Sequence, residues 1–368
     1  MNNKKVSNYS VNHKKRILYL DGLRGLAILM VVLFHAYSRW SEIVPYSNQF
    51  SNFLLFEYGK FGVQLFFMIS GFVILMTLEN CNDFTSFMYR RWLRLFPAML
   101  VCSMIIYLTS SFFVDGPKGH SVLKDTIPGL LFVEPELITL IFDSPQGVLE
   151  GSFWSLFVEM KFYIFAGLLY FFTTKKIMIN TIIILFLIST AYIKLSQVMV
   201  MPQSFQIGMR LLSIEHFGWF AVGALFYEYH LKKNKASILI AVFIALVAAR
   251  NANYGFLSEG MFIIVPIISI FVLALINTRL QSLLQNKVLI FLGFISYPFY
   301  LLHENMMVSM IVKLGKLLPN LPNILLPIMP ILSVIIIAYF VAKYLEPACR
   351  DAIKLTLAKI KGYSSLAV

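Results

Sequence analysis

The sequence predicts an all-α fold: a polytopic integral membrane protein of about ten transmembrane helices with both termini cytoplasmic. Three observations lead there. Of the 368 residues, 59% are hydrophobic and only 13% charged, against about 45–50% and about 25% in soluble domains. Mean hydropathy is +0.77. Together these exclude a soluble enzyme, a disordered protein and a nucleic-acid-binding domain. The third observation is a net charge of +13, from 31 Lys and Arg against 18 Asp and Glu. In a membrane protein such an excess reads as basic loops gathered on the cytoplasmic side. Cys81, Cys102 and Cys349 are too few and too dispersed for a disulfide framework or a metal knuckle.

A helix crosses the hydrocarbon core with roughly 20 mostly apolar residues, within a range of about 17–25. Ten runs are candidates: Ile17–Tyr37, Phe61–Leu78, Phe96–Phe113, Phe153–Phe172, Ile177–Ile193, Met209–Phe226, Ala236–Ala249, Met261–Ile276, Val288–Val312 and Ile324–Leu345. The seventh and eighth are short. They divide the chain into a basic cytoplasmic tail (1–16), a transmembrane domain (17–345) and a second basic cytoplasmic tail (346–368). The longest connection, residues 114–152, is an extracytoplasmic loop of 39 residues, too small for a separate domain.

Within that loop Ile127–Phe142 is apolar, but it carries Pro128, Glu134, Pro135 and Glu136. With ten crossings and the N-terminus inside, 20 Lys and Arg fall on the cytoplasmic side and nine outside. A further crossing at Ile127–Phe142 would turn this into 13 against 16. The positive-inside rule therefore favours ten crossings and an interfacial or re-entrant segment. The first span is not expected to be a cleaved signal peptide, although the basic tail before it and Ala36-Tyr37-Ser38 after it superficially fit one, because Asp21 and Arg24 interrupt its apolar core.

Besides histidine, and away from the outermost three residues of each run, six charged side chains fall inside the expected spans: Asp21, Arg24, Glu159, Lys161, Glu215 and Glu304. Each costs about 2.5–3.5 kcal/mol at a helix centre on insertion scales. They imply a polar interior, either an internal cavity or ion pairs between helices without chemistry. Arg24 and His35 are eleven residues apart, just over three turns, so both face one side about 16 Å apart. Asp21 lies one turn before Arg24 and can pair with it. Arg90, Arg91 and Arg94 open the third span, where arginines beside Trp92 also suit an ordinary inner interface. Three arginines at a helix N-terminus oppose the macrodipole, and a bound polyanion would neutralise both. Arg91 and Arg94, on adjacent turns, can share one phosphate.

The fourth span carries a polar stripe of Ser152, Ser155, Glu159 and Tyr163, with Trp154 beside it. The ninth repeats the device with Ser296, Tyr300 and His303, next to Glu304 and after a helix-kinking Pro298. Satisfied polar networks would look the same. No His-Glu-x-x-His, nucleophile elbow or Walker loop is present, and the histidines lack ligand spacing, so no metal is expected.

Five blocks resemble the membrane acyltransferase-three family in the family's own order. They are Tyr19–Ala27 with His35, Phe66–Ile74, Arg91-x-x-Arg94 with Leu95-Phe96-Pro97, Trp154-Ser155-Leu156 with Glu159 and Phe162-Tyr163, and Ile295–His303. The resemblance implies a ten-span enzyme of a bacterial inner membrane that moves an acyl group, most often acetyl, from cytoplasmic acyl-CoA. The acceptor it implies is a hydroxyl of an extracytoplasmic carbohydrate, of O-antigen, exopolysaccharide, capsule or peptidoglycan type. Some relatives append an esterase-like domain; here transfer is either direct or completed by a separate periplasmic acyl-acceptor protein.

On that resemblance Arg24, Arg90, Arg91 and Arg94 bind acyl-CoA, and His35 is the general base or is transiently acylated. A neutral imidazole suits either task near working pH. Glu159 orients an imidazole or the acceptor hydroxyl, and Asp21, Trp154, Ser155, Tyr163, Ser296, Tyr300 and His303 support the substrates. The competing class is a glycolipid transporter whose buried charges line a substrate path.

Overall fold

The computed structural model describes residues 17–251 and 259–366. The basic tail expected at 1–16 lies outside them. All regular structure among the described residues is helical. Helix α1 (Leu18–Tyr37) is followed by a one-turn α2 (Leu54–Glu57), α3 (Gly62–Leu78) and α4 (Phe84–Thr109). The long loop carries α5 (Thr126–Leu131) and α6 (Pro135–Phe142), then α7 (Trp154–Phe172), α8 (Lys175–Leu195), α9 (Gln203–Leu212) and α10 (Phe217–Lys232). Next come α11 (Lys235–Asn251), α12 (Met261–Ile276), α13 (Thr278–Leu284), α14 (Lys287–Leu302) and α15 (Asn305–Leu317). The chain closes with α16 (Ile328–Phe340), a wide π turn at Val341–Leu345, and α17 (Glu346–Leu366). The tail expected after Leu345 thus continues as helix.

Six helices are long and apolar enough to cross a bilayer: Leu18–Tyr37, Leu54–Leu78, Phe84–Phe112, Gly151–Phe172, Lys175–Leu195 and Ile328–Lys359. They coincide with the first five expected spans and the tenth. The other four are shorter or broken, each for a local reason. In the sixth, Ser213 adopts left-handed backbone (φ 52°) and separates α9 from the 16-residue α10. The seventh and eighth are helices of 17 and 16 residues. A bend of 114° separates α12 from α13. The ninth stops after Leu302, where the His303 ring turns back to donate from Nδ1 to the Tyr300 carbonyl (2.8 Å). A 16-residue helix rises about 24 Å, short of the roughly 30 Å hydrocarbon core.

Ile127–Phe142 forms no single crossing helix. It is split into α5 and α6, of six and eight residues, around left-handed Phe132. Its Glu134 is held by Lys161 Nζ (2.6 Å), which also donates to Ser213 Oγ (2.7 Å) and the Leu211 carbonyl (2.6 Å). Lys161, expected inside a span, therefore serves as a structural tie between the loop and the approach to α10.

One sequence expectation needs correcting. Arg90, Arg91 and Arg94 do not stand at a helix N-terminus. Helix α4 begins at Phe84, where Asp83 accepts bonds from the Ser86 N–H (2.8 Å) and Oγ (2.7 Å). Those bonds hold the Asp83 carboxyl below the usual carboxylate range. The helix end is thus already capped, and the arginines lie in later turns, so any anion there is bound by side chains alone.

The α1–α14 crossing positions the rest. A Cβ on Gly25 would lie 2.1 Å from the Leu289 carbonyl oxygen, and one on Gly293 2.0 Å from that of Asp21. Only glycine lets the two backbones approach so closely. Gly293→Val is therefore expected to lower the thermal midpoint of the detergent-purified protein, at the upper end of the about 1–3 kcal/mol that overpacking costs. Gly208→Ala, with open space around it, is expected to leave the midpoint in place. Equal midpoints for the two variants would refute this account of the crossing.

Candidate active site

Two cavities lie against α1. The smaller, about 120 Å3, is lined by Arg24 of α1, Arg91 and Arg94 of α4, Ser155, Glu159 and Tyr163 of α7, and Ser296, Tyr297 and Tyr300 of α14. Ser70 of α3 completes its polar wall. The larger, about 350 Å3, is lined by His35, Arg39, Trp40, Lys60, Gln64, Ser152, Trp154 and Glu304. Val63 and Tyr300 line both cavities, so the two abut at these side chains. The helical stripe read from Arg24 to His35 thus runs from one chamber to the next.

In the arginine cavity Asp21, buried, accepts from Arg24 Nη1 at 2.8 Å, as the one-turn spacing predicted. Arg91 donates from Nη2 to Thr77 Oγ1, and its guanidinium lies 5.9 and 5.8 Å from the Phe87 and Tyr163 ring centres. Its Nε is buried and has no partner among the described residues. Arg94 is exposed. Arg90 does not join them, for it is exposed and donates to the Asn80 carbonyl (3.1 Å). Glu159 is the carboxylate lining this chamber, accepting from Ser70 Oγ and from Tyr163 OH (2.7 Å). Three guanidinium groups outnumber the two carboxylates beside them, Glu159 and the Asp21 bonded to Arg24, and a buried unpaired N–H calls for an acceptor. The donor set fits phosphate.

In the histidine cavity the His303 and His35 rings meet edge to face, with His303 Nε2 3.2 Å from His35 Nδ1. The bonds assign the protons. His303 Nδ1 faces the Tyr300 carbonyl and must donate, which leaves its Nε2 as an acceptor. His35 Nδ1 faces the Val31 carbonyl (2.9 Å) and must also carry its proton, shared with His303. The lone pair of neutral His35 is therefore on Nε2, 3.5 Å from Glu304 Oε1. Glu304 in turn accepts from the Ser152 N–H through Oε2 (2.6 Å). Behind it, Glu150 accepts from the Asn305 N–H (2.8 Å), and burial together with the Glu304 charge pushes the Glu150 carboxyl well up. The result is an imidazole with its base nitrogen beside a fixed carboxylate.

Between the chambers, Tyr300 OH donates to the Ser152 carbonyl (2.9 Å) and lies 2.7 Å from Ser155 Oγ. Ser296 donates to the Gly293 carbonyl (2.9 Å). Trp154 packs beside the His216 ring, centroids 5.1 Å apart. The expected partnership between Glu159 and an imidazole is not formed: Glu159 faces the arginine chamber, and the carboxylate beside His35 is Glu304. Its adjacency to His303 and its charge inside a span were the signals of this in the sequence. Ser70, Tyr297, Gln64 and Trp40 were not singled out by periodicity or charge.

A family model described as an acyltransferase domain matches residues 17–344. The chain belongs to this acyltransferase family and is a multi-pass membrane protein. It is 26% identical over 151 residues to a protein of Shigella phage Sf6 named O-acetyl transferase, covering 40% of this chain and 44% of that one. It is 28% identical over 171 residues to a Bacillus subtilis protein provisionally named a peptidoglycan O-acetyltransferase, covering 42% and 24%. With a Staphylococcus aureus protein provisionally named an O-acetyltransferase it shares 24% identity over 326 residues, covering 77% and 49%. These matches span less than half the length of each curated relative. No solved structure matches the chain.

Proposed function

We propose that this protein transfers an acyl group, most readily acetyl, from cytoplasmic acyl-CoA to a hydroxyl of a carbohydrate on the far side of a bacterial inner membrane. The observation that carries the reading is the pair of abutting chambers, one rich in arginine and one holding the His35–Glu304 pair. Membership of the acyltransferase family and the O-acetyltransferase names of its relatives support it. In this reading the chain crosses the bilayer ten times with both termini cytoplasmic, the short helices α10, α11, α12 and α14 serving as crossings within the bundle. The arginine chamber then opens toward the cytoplasm.

Arg91, Arg94 and Arg24 hold the phosphates of the donor, and its pantetheine arm runs past Tyr300 toward His35. A rise of about 16 Å from Arg24 to His35 suits such an arm. His35 Nε2 takes the proton of the acceptor hydroxyl as that oxygen bonds to the thioester carbon. The C–S bond then breaks, and the departing sulfur recovers the proton from His35. Glu304 stabilises the imidazolium in between. Transfer is direct, with a separate periplasmic protein as the alternative immediate acceptor.

The test is transfer in proteoliposomes with radiolabelled acetyl-CoA outside and a defined peptidoglycan or O-antigen fragment in the lumen. Labelled ester on the fragment, released by mild base, is the expected result. Movement of an intact glycolipid with no ester formed would instead establish a transporter.

A further inference from the structure

We propose that Trp40, Gln64 and Ser152 form the subsite that holds the acceptor's sugar ring and sets its specificity. This rests on the acyl-transfer reading above and adds residues that neither the motifs nor the comparisons assign. Trp40 Nε1, Gln64 Oε1 and Ser152 Oγ are each buried and have no hydrogen-bond partner among the described residues. All three line the same 350 Å3 cavity as His35. They come from separate stretches of chain: the turn after α1, the first turn of α3, and the entry to α7. Native proteins pair about 90% or more of buried polar groups, so three orphans in one chamber mark a place for a ligand that pairs them.

Their chemistry defines that ligand. An indole N–H only donates, an amide oxygen only accepts, and a serine hydroxyl does both. Neighbouring hydroxyls on a ring, each a donor and an acceptor, complement that set. The cavity volume lies in the about 300–1,000 Å3 range of small-ligand pockets. Trp154, which is 39% exposed, adds a flat aromatic surface suited to the C–H face of a pyranose, while the Arg39 guanidinium lies over one face of Trp40 (4.5 Å). Ser152 is rigidly presented: its N–H is held by Glu304 and its carbonyl by Tyr300, leaving the hydroxyl uncommitted. Because Glu304 bridges Ser152 and His35, a ring bonded to Ser152 brings an adjacent hydroxyl to His35 Nε2.

The probes are methyl glycosides of glucose, galactose, rhamnose and N-acetylglucosamine, with cyclohexanol as the ring lacking further hydroxyls. Binding to the nanodisc-embedded protein is followed by tryptophan fluorescence, and transfer from acetyl-CoA by ester formation. At least one glycoside is expected to saturate, and cyclohexanol is not. Gln64→Leu and Ser152→Ala are expected to raise the KM for that glycoside at least tenfold and to keep the KM for acetyl-CoA within twofold. Ser152→Thr, which retains the hydroxyl, is expected to stay near the parent value. Acetyl-CoA turnover with no glycoside bound would overturn the subsite and leave acyl transfer standing. A parallel rise in both KM values would reveal a merely structural role and overturn it too. Saturable binding that Gln64→Leu abolishes, with no turnover of acetyl-CoA, would uphold the subsite and sink the acyl-transfer reading.

Discussion

His35→Ala is expected to lower acyl-transfer turnover in proteoliposomes 10²- to 10⁴-fold, the usual worth of a positioned general base. That corresponds to about 3–5 kcal/mol on the barrier, at about 1.36 kcal/mol per factor of ten. The expectation follows from proton placement. Two backbone carbonyls and the His303 ring commit Nδ1 of His35 as a donor, so Nε2 is the nitrogen left to accept a proton. Binding of acetyl-CoA should change by less than twofold, because the arginines lie in the other chamber. His35→Gln keeps a polar side chain of similar reach without a titratable nitrogen and should be as inactive as the alanine variant. Full turnover by His35→Ala would remove the proposed chemistry, whatever else the protein does.

The second large effect concerns the donor. Arg94→Ala and Arg91→Ala are each expected to raise the KM for acetyl-CoA roughly 10- to 100-fold. A charge-assisted hydrogen bond is worth about 1.5–3 kcal/mol, and each 1.4 kcal/mol is about tenfold in affinity. Arg94 is the cleaner site, being exposed, whereas Arg91 also bonds Thr77 and packs near Phe87 and Tyr163. Lysine at position 91 keeps the charge but loses the fork, so Arg91→Lys should recover only part of the affinity. Arg90→Ala supplies the contrast, since Arg90 reaches the Asn80 carbonyl and does not line the chamber. Isothermal titration with coenzyme A and with its dephospho form reads the difference. Unchanged affinity in Arg94→Ala and Arg91→Ala together would mean that the phosphates bind elsewhere.

The parts of this arrangement that were legible in the sequence are those written within one helix. Helical spacing puts Arg24 and His35 on one face and Asp21 beside Arg24, and both inferences needed only the pitch of α1. The Ser152–Tyr163 stripe was equally plain, but its length hid its meaning. It spans three turns, so Ser152 falls in the histidine chamber and Glu159 and Tyr163 in the arginine chamber. Of the two partners expected for Glu159, an imidazole or the acceptor hydroxyl, the imidazole is therefore not beside it. Glu304 pairs with His35 across 269 residues of chain, a contact that no periodicity encodes. Hydropathy also hid how early the third helix begins, at Phe84 rather than beside the apolar run from Phe96. The polar turn Thr85–Ser86 is helical because Asp83 caps it, a local bond that an apolar window does not register.

Two abutting chambers, if the proposed transfer opens them to opposite sides of the membrane, carry a hazard that concerns the cell more than the reaction. Open on opposite faces and joined, they would be a pore, and the ion gradients across the bilayer would leak through it. Val63 and Tyr300, the side chains common to both chambers, are then the plug: an aliphatic group and a phenol already tied to Ser152 and Ser155. In the acyl-transfer reading proposed above, this is the point at which a slender acyl arm has to pass and hydrated ions have to be stopped.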